Sequence, residues 1–159
     1  MLLKWRAKST KPPRNFKRDI MGADFVALIP STSAGMSYGY VHTIRQKLVS
    51  MVSPELGELL NRANWTSTSG MVWDIVNTKY DAVIEGLEQI SEISDDDVVL
   101  GVLIFVNHSD CDGEFSTEDC VYVLKALKKL AETDNDEAIE KLIKVFDNAV
   151  DSGGFVTIW

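Results

Sequence analysis

The sequence predicts an α+β fold: a small three-stranded sheet packed with about five helices. Three observations carry this reading. Apolar residues recur at helical spacing through several long segments. One continuous apolar run, Val98 to Val106, is rich in β-branched residues and bounded by polar clusters, the pattern of a central strand covered on both faces. The segments follow one another as strand, helices, strand, two helices, strand, with no internal repeat, an order that suits helices layered on a small sheet.

The elements are predicted as follows. A first strand runs from Ala23 to Ile29 and stops at Pro30, and Ser31 to Gly35 reads as a polar turn. Tyr38 to Val52 is helical, with Val41, Ile44, Leu48 and Met51 on one stripe. Ser53-Pro54 starts a short second helix, Glu55 to Arg62, because Ser supplies a capping oxygen and Pro lacks an N–H where none is needed. Asn64 to Gly70 is a loop. Met71 to Ile93 is a long helix whose inner stripe is Trp73, Val76, Tyr80, Val83, Ile84, Leu87 and Ile90, with Gly86 marking a close contact. Ser94 to Asp97 breaks the pattern before the apolar run, and a loop spans Asn107 to Phe115. Ser116 caps a helix with Cys120, Val123, Leu124, Leu127 and Leu130 inward. Glu137 to Val150 is the last helix, and Phe155 to Trp159 is a closing strand expected to dock on the sheet.

Composition narrows the function classes. The 159 residues, 45% apolar and 25% charged, suit one folded domain and exclude a wholly disordered chain. No apolar run approaches the roughly 18 residues a bilayer span needs. The first residues lack the apolar core of a secretory signal, and two cysteines make no disulfide framework. The expected location is cytoplasmic, with no membrane partner.

Charge is segregated along the chain. Residues 1–20 hold seven basic side chains against Asp19 alone, a net +6. The remaining nine basic and 23 acidic residues give 21–159 a net −14. The first segment, with Pro12 and Pro13 and no apolar period, reads as a disordered basic arm or a leader, and 21–159 as a single acidic domain. The arm can bind phosphates, lie on the acidic body, or be a translated leader with Met21-Gly22 as the natural start. Nucleic acid is an expected partner only through residues 1–20, since the acidic body repels phosphates. A basic protein surface is the partner such a body suits, as for an immunity-type or phage-encoded inhibitor.

One constellation has the residue types for chemistry: His108-Ser109-Asp110-Cys111-Asp112-Gly113, followed by Ser116. An imidazole and two carboxylates at alternate positions, His108, Asp110 and Asp112, can converge on a divalent metal if the loop curls, and Gly113 gives the backbone freedom to do so. The blander alternative is that these side chains cap backbone groups in a turn.

Four resemblances attach to these residues. His108, Asp110, Asp112, Gly113, Phe115 and Asp119 resemble the calcium loop of helix–loop–helix proteins, with His at the first position and Asp at the twelfth. The apolar run followed by Asp110-Cys111-Asp112-Gly113 resembles the first motif of the haloacid-dehalogenase phosphatases, with three residues interposed. His108, Asp110, Asp112, Gly113 and Ser116 resemble the motif of the DHH phosphoesterases, which implies a manganese site and phosphodiester hydrolysis. That family's Asp-His-His triad is absent, and the second histidine, His42, precedes Thr43. More broadly, Met21-Gly22-Ala23-Asp24, Ser37-Tyr38-Gly39, Ser109-Asp110-Cys111-Asp112-Gly113 and Cys120 resemble a family of small uncharacterised bacterial and phage proteins, which implies a fold group rather than a reaction. Cys120 reads as a core thiol and His42 as a surface or boundary histidine.

Overall fold

The computed structural model describes residues 22–28, 31–62, 73–108 and 113–158. In chain order they form β1 (Gly22–Leu28), β2 (Ser31–Ser37), α1 (Tyr38–Val52), α2 (Pro54–Arg62), α3 (Trp73–Ser94), α4 (Asp97–Asn107), β3 (Gly113–Phe115), α5 (Thr117–Ala131), α6 (Glu137–Ser152) and β4 (Val156–Ile158). The basic arm, the loop at 64–70 and Trp159 lie outside the described residues.

The fold is α+β, but two details of the sequence reading are corrected. The described residues form four strands, not three, and six helices, not about five. The apolar run is not a strand but helix α4. Asp96 caps it, its side chain accepting from the Val98 N–H at 2.8 Å, and Asp97 complements the positive helix start. A helix apolar all round is stable only when surrounded, and Val99, Val102, Ile104, Phe105 and Val106 are all buried. Gly101 lets α4 approach α5 closely: a Cβ there would collide with the Tyr122 carbonyl oxygen.

The missing strands come from segments read as turn and loop. Ser31–Ser37 pairs antiparallel with β1 along its whole length, from Gly22↔Ser37 to Leu28↔Ser31. Gly113–Phe115 pairs with β4, which also pairs with β1, giving the sheet order β2-β1-β4-β3. Side chains alternate between faces. Ala23, Phe25 and Ala27 face the helices with Ala34, Phe115, Val156 and Ile158, and all are buried. Phe25 stacks on Phe105 of α4 at 5.9 Å, and Phe115 meets Phe146 of α6 edge-on at 5.2 Å. Asp24, Val26, Ser33, Gly35, Glu114 and Thr157 take the opposite face.

The other helices follow the sequence. Ser53 Oγ accepts from the Leu56 N–H at 3.3 Å to start α2, and Ser116 Oγ accepts from the Asp119 N–H at 3.1 Å to start α5. α6 is capped by Asp136 and ends at Gly153, whose φ of 66° suits glycine. A Cβ on Gly86 would press on the Leu56 side chain, the close contact anticipated there. Among the described residues no helix is long and apolar enough to cross a membrane.

Candidate functional site

The candidate loop begins where α4 ends, and that end is held from three sides. A helix terminus leaves carbonyls without intrahelical partners. Here the Val106 carbonyl accepts from the Tyr80 hydroxyl of α3, and the His108 carbonyl accepts from the Arg45 guanidinium of α1. Both donors reach across from neighbouring helices, and a buried cation at this end complements the helix dipole. Arg45 and His42, one turn apart on α1, are each 7% exposed, so His42 is an interior residue and not the boundary histidine expected.

His108 itself turns inward. It is 3% exposed, its ring stacks on Phe115 with centroids 3.9 Å apart, and its Nε2 lies 3.1 Å from the Glu114 carbonyl oxygen. A carbonyl only accepts, so this contact puts the proton on Nε2. The imidazole thus ties the end of α4 to β3 across the four residues between them. Asp110 and Asp112, the carboxylates expected to complete a metal set, lie outside the described residues. Among the described residues no group of three His, Cys, Asp or Glu is placed to hold a metal ion. The segment expected to reach this loop as a strand is helix α4, so the strand-end argument for a pocket there is withdrawn.

Cys120 is fully buried on α5, where its thiol donates to the Phe115 carbonyl at 3.7 Å. Burial pushes its pKa up from 9.0 to about 12. It is a core thiol, as read from its place on the apolar stripe.

A different feature stands out on the outer side of α3. Asp81, Glu85, Glu88 and Glu92 fall at i, i+4, i+7 and i+11, which places them on one helical stripe about 16 Å long at 1.5 Å per residue. Three of them are exposed and Glu88 is half-buried. Some other acids are neutralised locally, while among the described residues Glu55, Glu118, Glu140 and Asp151 are exposed with no cation in ion-pair distance. Asp97 meets Lys125 at 2.7 Å, Asp134 meets Lys47 at 2.7 Å, and Asp147, Glu132 and Glu137 pair with Lys128, Lys129 and Lys141. Among the described residues, the four α3 carboxylates have no cationic partner within ion-pair distance. The row ends beside Ile93, which is 87% exposed, and the acids continue through Asp95 and Asp96. The spacing of this row is legible in the sequence, but the apolar stripe of the same helix drew the reading instead.

No protein-family model, curated protein or solved structure matches the chain.

Proposed function

We propose that the protein is a non-enzymatic interaction protein that binds a basic partner through the outer face of α3. The observation that supports this is the alignment: on the other helices, exposed acids without a cation stand singly, whereas Asp81, Glu85, Glu88 and Glu92 form one row along a single helix with no Lys or Arg of the described residues in ion-pair distance. Like charges at i, i+4 destabilise a helix by roughly 0.2–0.5 kcal/mol per pair, so the row costs stability that folding alone does not need. An exposed apolar side chain, Ile93, lies on the same helix about 100° round from Glu92 and supplies a point of dehydrated contact next to the charged face. A surface of this kind steers toward Lys- and Arg-rich partners and competes with nucleic acid for them.

The test is retention of basic proteins by the immobilised full chain. Partners held at about 0.1 M salt should be released by about 0.5 M, as the Debye length shortens. The Glu85→Lys, Glu88→Lys, Glu92→Lys triple variant should retain none of them. Equal retention by wild type and variant, or retention indifferent to salt, would sink the proposal.

The alternative is a divalent metal at His108, Asp110 and Asp112, serving phosphoester hydrolysis. What favours it is the Nε2 contact to the Glu114 carbonyl, the second-layer arrangement that orients a ligating imidazole. Titration with Mn²⁺ or Ca²⁺ separates the two readings. A bound ion raises the melting midpoint by linkage, and Asp110→Asn abolishes the rise.

A further inference from the structure

We infer that the face of the sheet turned away from the helices takes up the chain's own basic segment, residues 1–20. This contact is separate from the α3 row, so it goes beyond the reading above and survives its failure. The register puts Asp24 and Val26 of β1, Glu114 of β3 and Thr157 of β4 on this face, while α4 and α6 meet the aromatic rings of the other. Over β2 the face is open, with Ser33 and Gly35 exposed. Its middle is not: Asp24, Val26 and Glu114 are half-buried, and Thr157 is 5% exposed. Neighbouring strands shield part of Thr157, and the helices, on the other side of the sheet, shield none. Alternation carried one residue back from β4 adds Phe155, a large apolar side chain that is 40% exposed.

The chemistry of the face says what it takes up. It carries two carboxylates, Asp24 and Glu114, and among the described residues neither has a cation within ion-pair distance. All nine basic residues of 21–159 lie on helices, so the strands supply no Lys or Arg to it. Between the two acids lie Val26 and Thr157. A segment that mixes cations with apolar side chains complements such a surface, and residues 14–20 are of that kind: Arg14, Lys17 and Arg18 with Phe16 and Ile20, against Asp19. They join β1 through Met21, and seven extended residues reach about 23 Å, the length of β1 itself. Tethering decides between this segment and other occupants. A short tether holds it at an effective concentration on the order of 1 mM, so at equal intrinsic affinity it outcompetes a basic partner at about 10 μM roughly 100-fold. A second copy would bring its own Asp24 and Glu114 against these, like charge on like.

The experiment follows the amide resonances of the full ¹⁵N-labelled chain at about 0.1 M salt. The Arg14→Gln, Lys17→Gln, Arg18→Gln variant should shift the amides of Asp24, Val26, Glu114 and Thr157 and leave those of α3 in place. About 0.5 M NaCl should move the wild-type amides the same way. In a chain carrying Asp24→Asn and Glu114→Gln, the three arm substitutions should produce no such shift, because the pairs they break are already gone. Shifts confined to Asp81–Glu92 would put the arm on α3 and overturn the inference. No shift at all overturns it too, as does a shift of the same size in the chain without the two carboxylates. Movement of these four amides on dilution would give the face to a second copy, and their movement when about 0.1 mM of a blocked Lys- and Arg-rich peptide is added to wild type would leave it open to a partner. Either result overturns the inference.

Discussion

The two side chains with most to say are ones that face inward. Cys120 keeps its proton in the folded protein because its thiolate would be stranded among apolar groups, and its pKa rises from 9.0 to about 12. In the unfolded chain it ionises near its ordinary value. Below pH 9 both states hold the proton and stability is unaffected. Between roughly pH 9 and 12 only the unfolded state loses it, and stability falls by up to about 1.4 kcal/mol per pH unit from this group. Cys120→Ala should lose less stability than wild type between pH 8 and 10, read from urea unfolding at each pH. Wild-type Cys120 should also resist thiol reagents at pH 8 until the protein is unfolded. Arg45 is the second case. Its guanidinium is buried and donates to the His108 carbonyl, so Arg45→Met leaves that carbonyl without its charged donor at a helix end. The expected loss is about 2–3 kcal/mol in urea unfolding. A loss under about 0.5 kcal/mol would mean that the end of α4 is held by Tyr80 and His108 alone.

At the scale of elements, α4 shows where a sequence can be read and where it cannot. Its eight apolar residues and one glycine carry no period, because every side is covered, and a covered helix and a covered strand look alike without a period. The β-branched Val and Ile lean toward strand, and packing overrides that lean. Two local signals pointed the other way: the Asp96-Asp97 start, which is a cap, and Gly101, which a helix crossing needs. β2 was hidden for the opposite reason. Ser, Thr, Ala and Gly have weak strand preference, and only pairing with β1 makes Ser31–Ser37 a strand. Where polarity alternated at helical spacing and a cap was present, as in α1, α2, α5 and α6, the reading matched the structure to within two residues. Of the metal motif, His108 alone is described, and its neighbourhood was not legible because it depends on helix α4. The role of Gly101 is testable. Gly101→Ala would push its methyl into the Tyr122 carbonyl and to within 3.0 Å of the Ala126 Cβ. Helix propensity favours Ala by about 1 kcal/mol, but overpacking costs about 1–3 kcal/mol, and the obstacle here is backbone that cannot swing aside. A net destabilisation is expected by thermal or urea unfolding, whereas a gain would show that α4 and α5 have room to part.

Across the whole molecule, fold and charge pull against each other on α3. Its inner stripe, Val83 and Leu87, is fully buried and holds the helix in place, while its outer stripe repels itself. Asp81–Glu85 and Glu88–Glu92 are i, i+4 pairs and Glu85–Glu88 an i, i+3 pair, so three unfavourable contacts of about 0.2–0.5 kcal/mol each add along one face. Neutralising the row with Asp81→Asn, Glu85→Gln, Glu88→Gln and Glu92→Gln should therefore stabilise the protein by about 0.6–1.5 kcal/mol in low-salt urea unfolding. The gain should shrink in about 0.5 M NaCl, where screening acts over roughly 4 Å. The same variant should lose its basic partners. On the proposal made above, a row that weakens the fold is kept because it strengthens association, so a gain in stability together with a loss of binding in this one variant is the outcome that proposal expects. If the neutralised protein is instead less stable, the four carboxylates make stabilising contacts within the chain, and the case for α3 as a docking face falls with them.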